Sequence, residues 1–141
     1  MALNLELEVL GYIVCEGGAR NCTNSQYIYP GMNARIKSGF RIECYKEFAQ
    51  KKLNPKLVIG DNVIIGYNFS ALVSDRVSIG DNTILASNIF MTTHNHGVDV
   101  ENDVPFYRQP LITAPVSIGS ECWIGEKVVI LPGVTIEGIN V

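Results

Sequence analysis

The sequence holds two histidines, His94 and His96, and both fall in one short run, Met91-Thr92-Thr93-His94-Asn95-His96-Gly97. An imidazole with an unperturbed pKa of ~6.5 suits removal of a proton from a hydroxyl near neutral pH. Two residues apart on extended chain, the two rings would point the same way, so their roles can be exchanged. Three uses are open to them: a general base with a neighbour, two ligands of a metal that takes its third ligand elsewhere, or polar loop residues without chemistry. The four cysteines, Cys15, Cys22, Cys44 and Cys122, form no C-x-x-C pair. This argues against a zinc knuckle or redox motif. Cys122 has no base beside it in sequence that would make it a nucleophile.

The chain that must position these histidines is periodic. Ile59-Gly60-Asp61-Asn62 leads to Ile65-Gly66-Tyr67-Asn68, and Ile79-Gly80-Asp81-Asn82 leads to Leu85-Ala86-Ser87-Asn88. The same grammar returns at Ile118, Ile124, Ile130 and Ile136, and in weaker form at Pro30, Ile36 and Ile42. A spacing of six matches neither a helix face, at about 3.6, nor a strand face, at about 2. It fits a coil of very short strands and corners, three sides closing one turn in about 18 residues, the signature of a parallel β-helix. The small residue and Asn or Asp after each aliphatic suit tight corners. A sandwich would show turn signals every ~8–12 residues instead.

The period is broken at three places: Tyr45 to Pro55, a shift of two residues around Ser74-Asp75-Arg76, and a loop from about 92 to 115. The expected organisation is an N-terminal segment, 1–28, of short strand and loop, followed by an all-β, β-helical domain over 29–141 with one protruding loop. Leu3, Leu5, Leu7 and Val9 alternate with polar residues and predict the strand.

Composition excludes several classes. A net charge of −3 gives no electrostatic case for nucleic acid or an acidic membrane surface. No apolar run reaches the ~18 residues needed to span a bilayer. The start, with Glu6 and Glu8 among leucines, does not read as a signal peptide, so a cytoplasmic protein with reduced thiols is expected. Lys46, Lys51, Lys52 and Lys56 cluster in the first interruption. They could meet an anionic glycan or phosphate, or form an ordinary solvated face.

Three stretches resemble a known family. They are Asn54-Pro55-Lys56-Leu57-Val58-Ile59-Gly60-Asp61-Asn62; Ile79-Gly80-Asp81-Asn82 leading to His94-Asn95-His96-Gly97; and Cys122-Trp123-Ile124-Gly125 leading to Ile130-Leu131-Pro132-Gly133-Val134-Thr135-Ile136. The chain resembles the left-handed β-helix acyltransferases of the maltose/galactoside O-acetyltransferase group, and within it the O-acetyltransferases of capsule and lipopolysaccharide synthesis. The resemblance implies a left-handed coil, acetyl-CoA as co-substrate without a metal, and a sugar or glycan acceptor. It also implies a homotrimer with active sites between subunits. Its catalytic histidine falls at His96, followed by Gly or Pro; His94 would shape the loop or contact acceptor. Asn68 and Asp75 would hold the sugar, although each also reads as a corner residue. Trp123, Gly125 and Glu126 would border the pantetheine channel. The family pattern continues for one or more coils past Ile136, so the resemblance predicts that this chain lacks terminal coils of the donor site.

Two rival readings accompany it. One is a β-helix zinc enzyme of carbonic anhydrase type, with His94 and His96 as two ligands, a spacing unlike that family's. The other is a non-catalytic scaffold or donor-binding fragment. The loop between 92 and 115 is where acceptor choice would lie, since loops on rigid scaffolds carry specificity.

Overall fold

The computed structural model describes residues 22–141 in full and, before them, the backbones of two strands. Those strands, β1 (Leu7–Leu10) and β2 (Ile13–Glu16), pair antiparallel. Leu3 and Leu5 lie outside the described residues. From β2 onward the chain winds as a parallel β-helix. The first turn is β2, β3 (Cys22–Thr23) and β4 (Ile28–Pro30). The second is β5 (Arg35–Ile36), β6 (Arg41–Cys44), an inserted hairpin of β7 (Glu47–Phe48) and β8 (Lys51–Lys52), then β9 (Lys56–Ile59). The third is β10 (Ile64–Ile65), β11 (Ser70–Val73) and β12 (Arg76–Ile79). The fourth is β13 (Ile84–Leu85), β14 (Phe90–Thr92), a short inserted pair β15 (His94–Asn95) and β16 (Ile112–Thr113), then β17 (Val116–Ile118). The last is β18 (Trp123–Ile124), β19 (Val129–Ile130) and β20 (Thr135–Ile136).

Successive turns stack into three parallel sheets. The first face carries β2, β5, β10, β13 and β18; the second β3, β6, β11, β14 and β19; the third β4, β9, β12, β17 and β20. The described chain therefore shows no break at residue 28. β2, β3 and β4 lie in register with the second turn, Cys15 opposite Ile36, Cys22 opposite Ile42 and Ile28 opposite Leu57. This corrects the expectation of a separate N-terminal segment. The pattern escaped notice because cysteines stand where later turns place aliphatics, and the step from Cys15 to Cys22 is seven residues rather than six.

Each face contributes at least one column of buried side chains. Ile36, Ile65, Leu85 and Ile124 line the first; Ile42, Ala71, Met91 and Ile130 the second; Leu57, Val77 and Val116 the third. Burial alternates along every strand longer than three residues that is fully described, which follows from the two-residue repeat of side-chain direction. Corners are turned by Asn in the left-handed region, Asn33, Asn62 and Asn82 before the first face, Asn68 and Asn88 after it. Asn tolerates that conformation better than most residues. The stacked carboxamides bond from turn to turn: Asn62 Nδ2 donates to Asn82 Oδ1 at 3.2 Å and Asn68 Nδ2 to Asn88 Oδ1 at 3.2 Å. Beside them Asp81 Oδ1 accepts the Asp61 N–H at 2.7 Å.

The glycine of the Ile-Gly-Asp-Asn corner answers to the same stacking. A Cβ on Gly80 would lie 2.4 Å from the Ser120 backbone nitrogen, whereas one on Gly125 would meet nothing within 4 Å. Gly80→Ala is therefore expected to cost about 1–3 kcal/mol in urea unfolding, as overpacking does, and Gly125→Ala to stay within about 0.5 kcal/mol. Equal losses would show that turn-to-turn contact does not select the glycine.

Candidate functional site

All three breaks in the period occur at one edge of the prism, between the second and third faces. The β7–β8 hairpin leaves there in the second turn, Ser74 and Asp75 are the extra residues of the third, and residues 93–115 leave there in the fourth. Stacked turns bring these departures together. The result is a cluster of polar and aromatic side chains on an otherwise regular surface.

His94 is half-buried in this cluster and held on two sides. Its Nδ1 lies 2.8 Å from Ser74 Oγ, and its ring meets Tyr45 edge-on at 5.3 Å between centroids. The hydrogen-bond inventory fixes its tautomer. Thr93 Oγ1 accepts the backbone N–H groups of Ser74 at 2.8 Å and Asp75 at 3.1 Å, which engages both lone pairs of a hydroxyl oxygen. Ser74, buried from solvent, has its hydroxyl within reach of Thr93 Oγ1 and His94 Nδ1 only. Its proton must go to Nδ1. The neutral His94 ring therefore carries its own proton on Nε2 and offers a donor there. Burial, and secondly the charge of His96, push the His94 pKa below its ordinary value, so the ring is neutral at pH 7.

His96 is exposed, its ring edge-on to Phe48 of the hairpin at 5.5 Å. Tyr45 begins the insertion, donates its hydroxyl to Glu43, and has its pKa pushed up to about 12 by burial and then by Glu43. It is a fixed phenol rather than a base. The hairpin turns at Ala49 and Gln50, both at positive φ, 48° and 62°. Neither is a residue that favours the left-handed region, which costs roughly 1–2 kcal/mol per residue. The longer loop is held by Gln109, 2% exposed. Its Nε2 donates to the carbonyls of Asp99 and Val104, each at 2.9 Å, and its Oε1 accepts the Asp99 N–H at 3.0 Å. Around it Val100, Val104, Phe106 and Tyr107 line an open hollow of about 530 Å³.

Of the residues expected from sequence, the fold gathers His94, His96 and Asp75. Asp75 Oδ1 accepts the Arg76 N–H at 2.7 Å and its backbone joins the Thr93 network. Asn68 is not gathered. It stands at the corner after the first face with its side chain in the Asn88 ladder, so within one chain the acceptor role expected of it gives way to the corner role. Trp123 lies on the first face, 57% exposed, and Gly125 and Glu126 at the corner after it. None of the three adjoins the histidines within one chain. Sequence reasoning missed Ser74, Thr93, Tyr45 and Phe48. The two-residue shift at Ser74-Asp75 was the available signal. Among the described residues no three His, Cys, Asp or Glu side chains converge as metal ligands. Cys44 is buried, its pKa pushed up to about 11 by that burial, which leaves it an inert thiol at neutral pH. Cys122 is buried and donates to the Glu137 carbonyl at 3.3 Å.

Two expectations follow. Nitrogen-15 NMR at pH 7.5 should find His94 Nδ1 unprotonated and Nε2 protonated, with Ser74→Ala mixing the tautomers; a protonated Nδ1 in the unsubstituted protein would refute the assignment. The depressed pKa also makes stability pH-dependent. The unfolded ring takes up a proton as pH falls through ~6.5 while the folded ring resists it, so stability present above that pH is lost below it. The urea midpoint should therefore drop more between pH 7.5 and 5 in the unsubstituted protein than in His94→Gln.

Comparison with known proteins agrees with this architecture. Residues 56–93 and 115–138 match the family model described as the hexapeptide repeat of succinyl-transferase. WbbJ of Escherichia coli K12, provisionally named a lipopolysaccharide biosynthesis O-acetyl transferase, is 34% identical over 86 residues, which cover 57% of this chain and 44% of WbbJ. The galactoside O-acetyltransferase of the same organism is 40% identical over 83 residues, 55% of this chain and 39% of that enzyme. The chain thus spans less than half the length of these curated relatives. Among solved structures, a point mutant of AntD, an N-acyltransferase from Bacillus cereus, in complex with dTDP-4-amino-4,6-dideoxyglucose and coenzyme A, superposes with a TM-score of 0.69 over 92% of this chain and 66% of its own, at 17% identity. That likeness is one of fold. In its repeat, and in the left-handed parallel β-helix that such repeats build, the chain is similar to the hexapeptide-repeat acyltransferases.

Proposed function

We propose that this chain is the catalytic part of an O-acetyltransferase that moves an acetyl group from acetyl-CoA to a sugar hydroxyl, in the cytoplasm, for surface polysaccharide synthesis. The observation that carries the reading is the convergence of all three departures from the repeat on one edge, where they surround the only two histidines. Relatives named as acetyltransferases supply the reaction class, and coenzyme A bound to AntD supports the donor.

In this reading His96 is the general base. It is exposed, so a hydroxyl can reach it. The hydroxyl proton passes to the imidazole as its oxygen attacks the thioester carbonyl. The tetrahedral oxyanion then collapses, the C–S bond breaks, and the coenzyme A thiolate takes the proton back. His94 serves beside it. With its Nε2 protonated it cannot be the base through that nitrogen, but it can donate a hydrogen bond to substrate or oxyanion. Asp75 accepts from acceptor hydroxyls.

The donor residues Trp123, Gly125 and Glu126 belong to a different edge, so they would meet the histidines across a subunit boundary. A homotrimer supplies that boundary. Ile64, Ile84 and Trp123 form an exposed column in register on the outer first face, 42%, 43% and 57% exposed, a surface suited to packing against another copy.

The test is release of coenzyme A from acetyl-CoA in the presence of a panel of sugars. His96→Ala should lose about 10²- to 10⁴-fold in kcat with its sedimentation unchanged. Full activity in that variant would remove His96 from the base role. A monodisperse monomer with full activity would remove the shared site.

A further inference from the structure

Beside the histidines lies a second feature, whose two lysines the acetyl-transfer step does not use. It is a recess of about 150 Å³ whose wall includes Lys51, Lys52, Asn54, Ser74, Asp75 and Thr113. At ~30 Å³ per water it has room for a group the size of one sugar ring or its substituent. We propose that this recess binds an anionic group, phosphate or carboxylate, carried by the acceptor sugar, and so makes an acidic sugar the preferred acceptor.

Three observations carry this. First, the two ammonium groups are exposed and have no ion-pair partner among the described residues. Lys56, by contrast, sits over the Tyr29 ring at 5.0 Å. Second, the lysines are held by backbone. Lys52 pairs with Glu47 and Lys51 with Phe48 across the hairpin, and the Leu53 N–H donates to the Lys46 carbonyl at 2.9 Å. That hairpin keeps two residues at unfavourable positive φ, the kind of strain that marks a segment retained for what it presents. Third, the recess shares its walls with the histidine pair. Ser74 bonds His94, Thr113 is the strand partner of His94, and Phe48 on the lysine hairpin meets His96. An acceptor anchored there by charge leaves its neighbouring hydroxyls beside the imidazoles. The one carboxylate in the wall, Asp75, selects for a hydroxylated anion over a bare one, since it accepts from hydroxyls and repels anionic oxygens.

The inference rests on the proposed function for the occupant's part in the reaction, but not for its binding. The experiment therefore measures binding first. Glucose 1-phosphate, glucuronate and glucose are titrated into the 141-residue chain by NMR at low salt, without acetyl-CoA. Both anionic probes are expected to bind about five- to tenfold more tightly than glucose, the scale of two exposed charge pairs, and added salt should shrink that preference. The tighter of the two names the anion. Lys51→Ala/Lys52→Ala should bring the ratio to about one, and Lys56→Ala should leave it unchanged. Equal binding of all three probes, no binding of the anionic ones, or a preference that survives the double substitution would overturn the proposal. A lysine-dependent preference in a chain that transfers no acetyl group would leave the recess standing and remove the transferase reading.

Discussion

The structure depends on one constraint: each turn must hydrogen-bond to the turns on either side of it. Strands of two to four residues have no stability of their own. Their N–H and C=O groups point along the prism axis, and the adjacent turn, at the ~4.8 Å spacing of paired strands, is the only partner available. Gly80 N–H meets the Ile118 carbonyl at 2.8 Å and Ile84 N–H the Cys122 carbonyl at 2.8 Å, and similar bonds recur from turn to turn. Corners close enough to permit them leave no room for a Cβ at Gly80. Side-chain amides and carboxylates at the same corners extend the ladder outward.

The same constraint decides where chemistry can be built. A residue inserted within a face would shift every side chain after it, turning buried positions outward. An insertion at a corner leaves the faces in register. Eleven residues from Tyr45 to Pro55 and the longer segment between Thr92 and Val116 depart from a single edge, and the strands on both sides keep their pairing. Because the turns are locked together, the departures are locked relative to one another too. A histidine of the fourth turn reaches a serine of the third and a tyrosine of the second. The scaffold supplies the rigidity that loops alone lack.

Electrostatics at this edge follow from how each group is buried. His94 lies partly under Tyr45 and against a serine that can only donate to it, and both features favour a neutral ring with a defined tautomer. His96 protrudes and has a ring contact but no fixed hydrogen bond among the described residues. Two chemically identical side chains two residues apart thus acquire different capacities. The lysines across the recess add positive charge that has no ion-pair partner among the described residues.

The six-residue spacing of isoleucines, with Gly, Asp and Asn at set offsets, determined the β-helix from sequence alone, because that spacing matches no other regular structure. The breaks in the period marked where chain leaves the coil, and His94 and His96 stood out by their scarcity. Sequence did not reveal that the first turn begins at β2, since cysteines replace the aliphatics there and the step is irregular. Nor could it show that the Asn68 side chain joins the corner ladder through Asn88, because the same residue type serves corners and sites alike. The convergence of three distant breaks on one edge, the saturation of Thr93 that orients Ser74 and fixes the His94 tautomer, and the recess shared by Lys52 and Asp75 belong to tertiary structure alone. Each depends on which residues lie one turn above or below, and that is set by the winding of the whole coil rather than by any local stretch of chain.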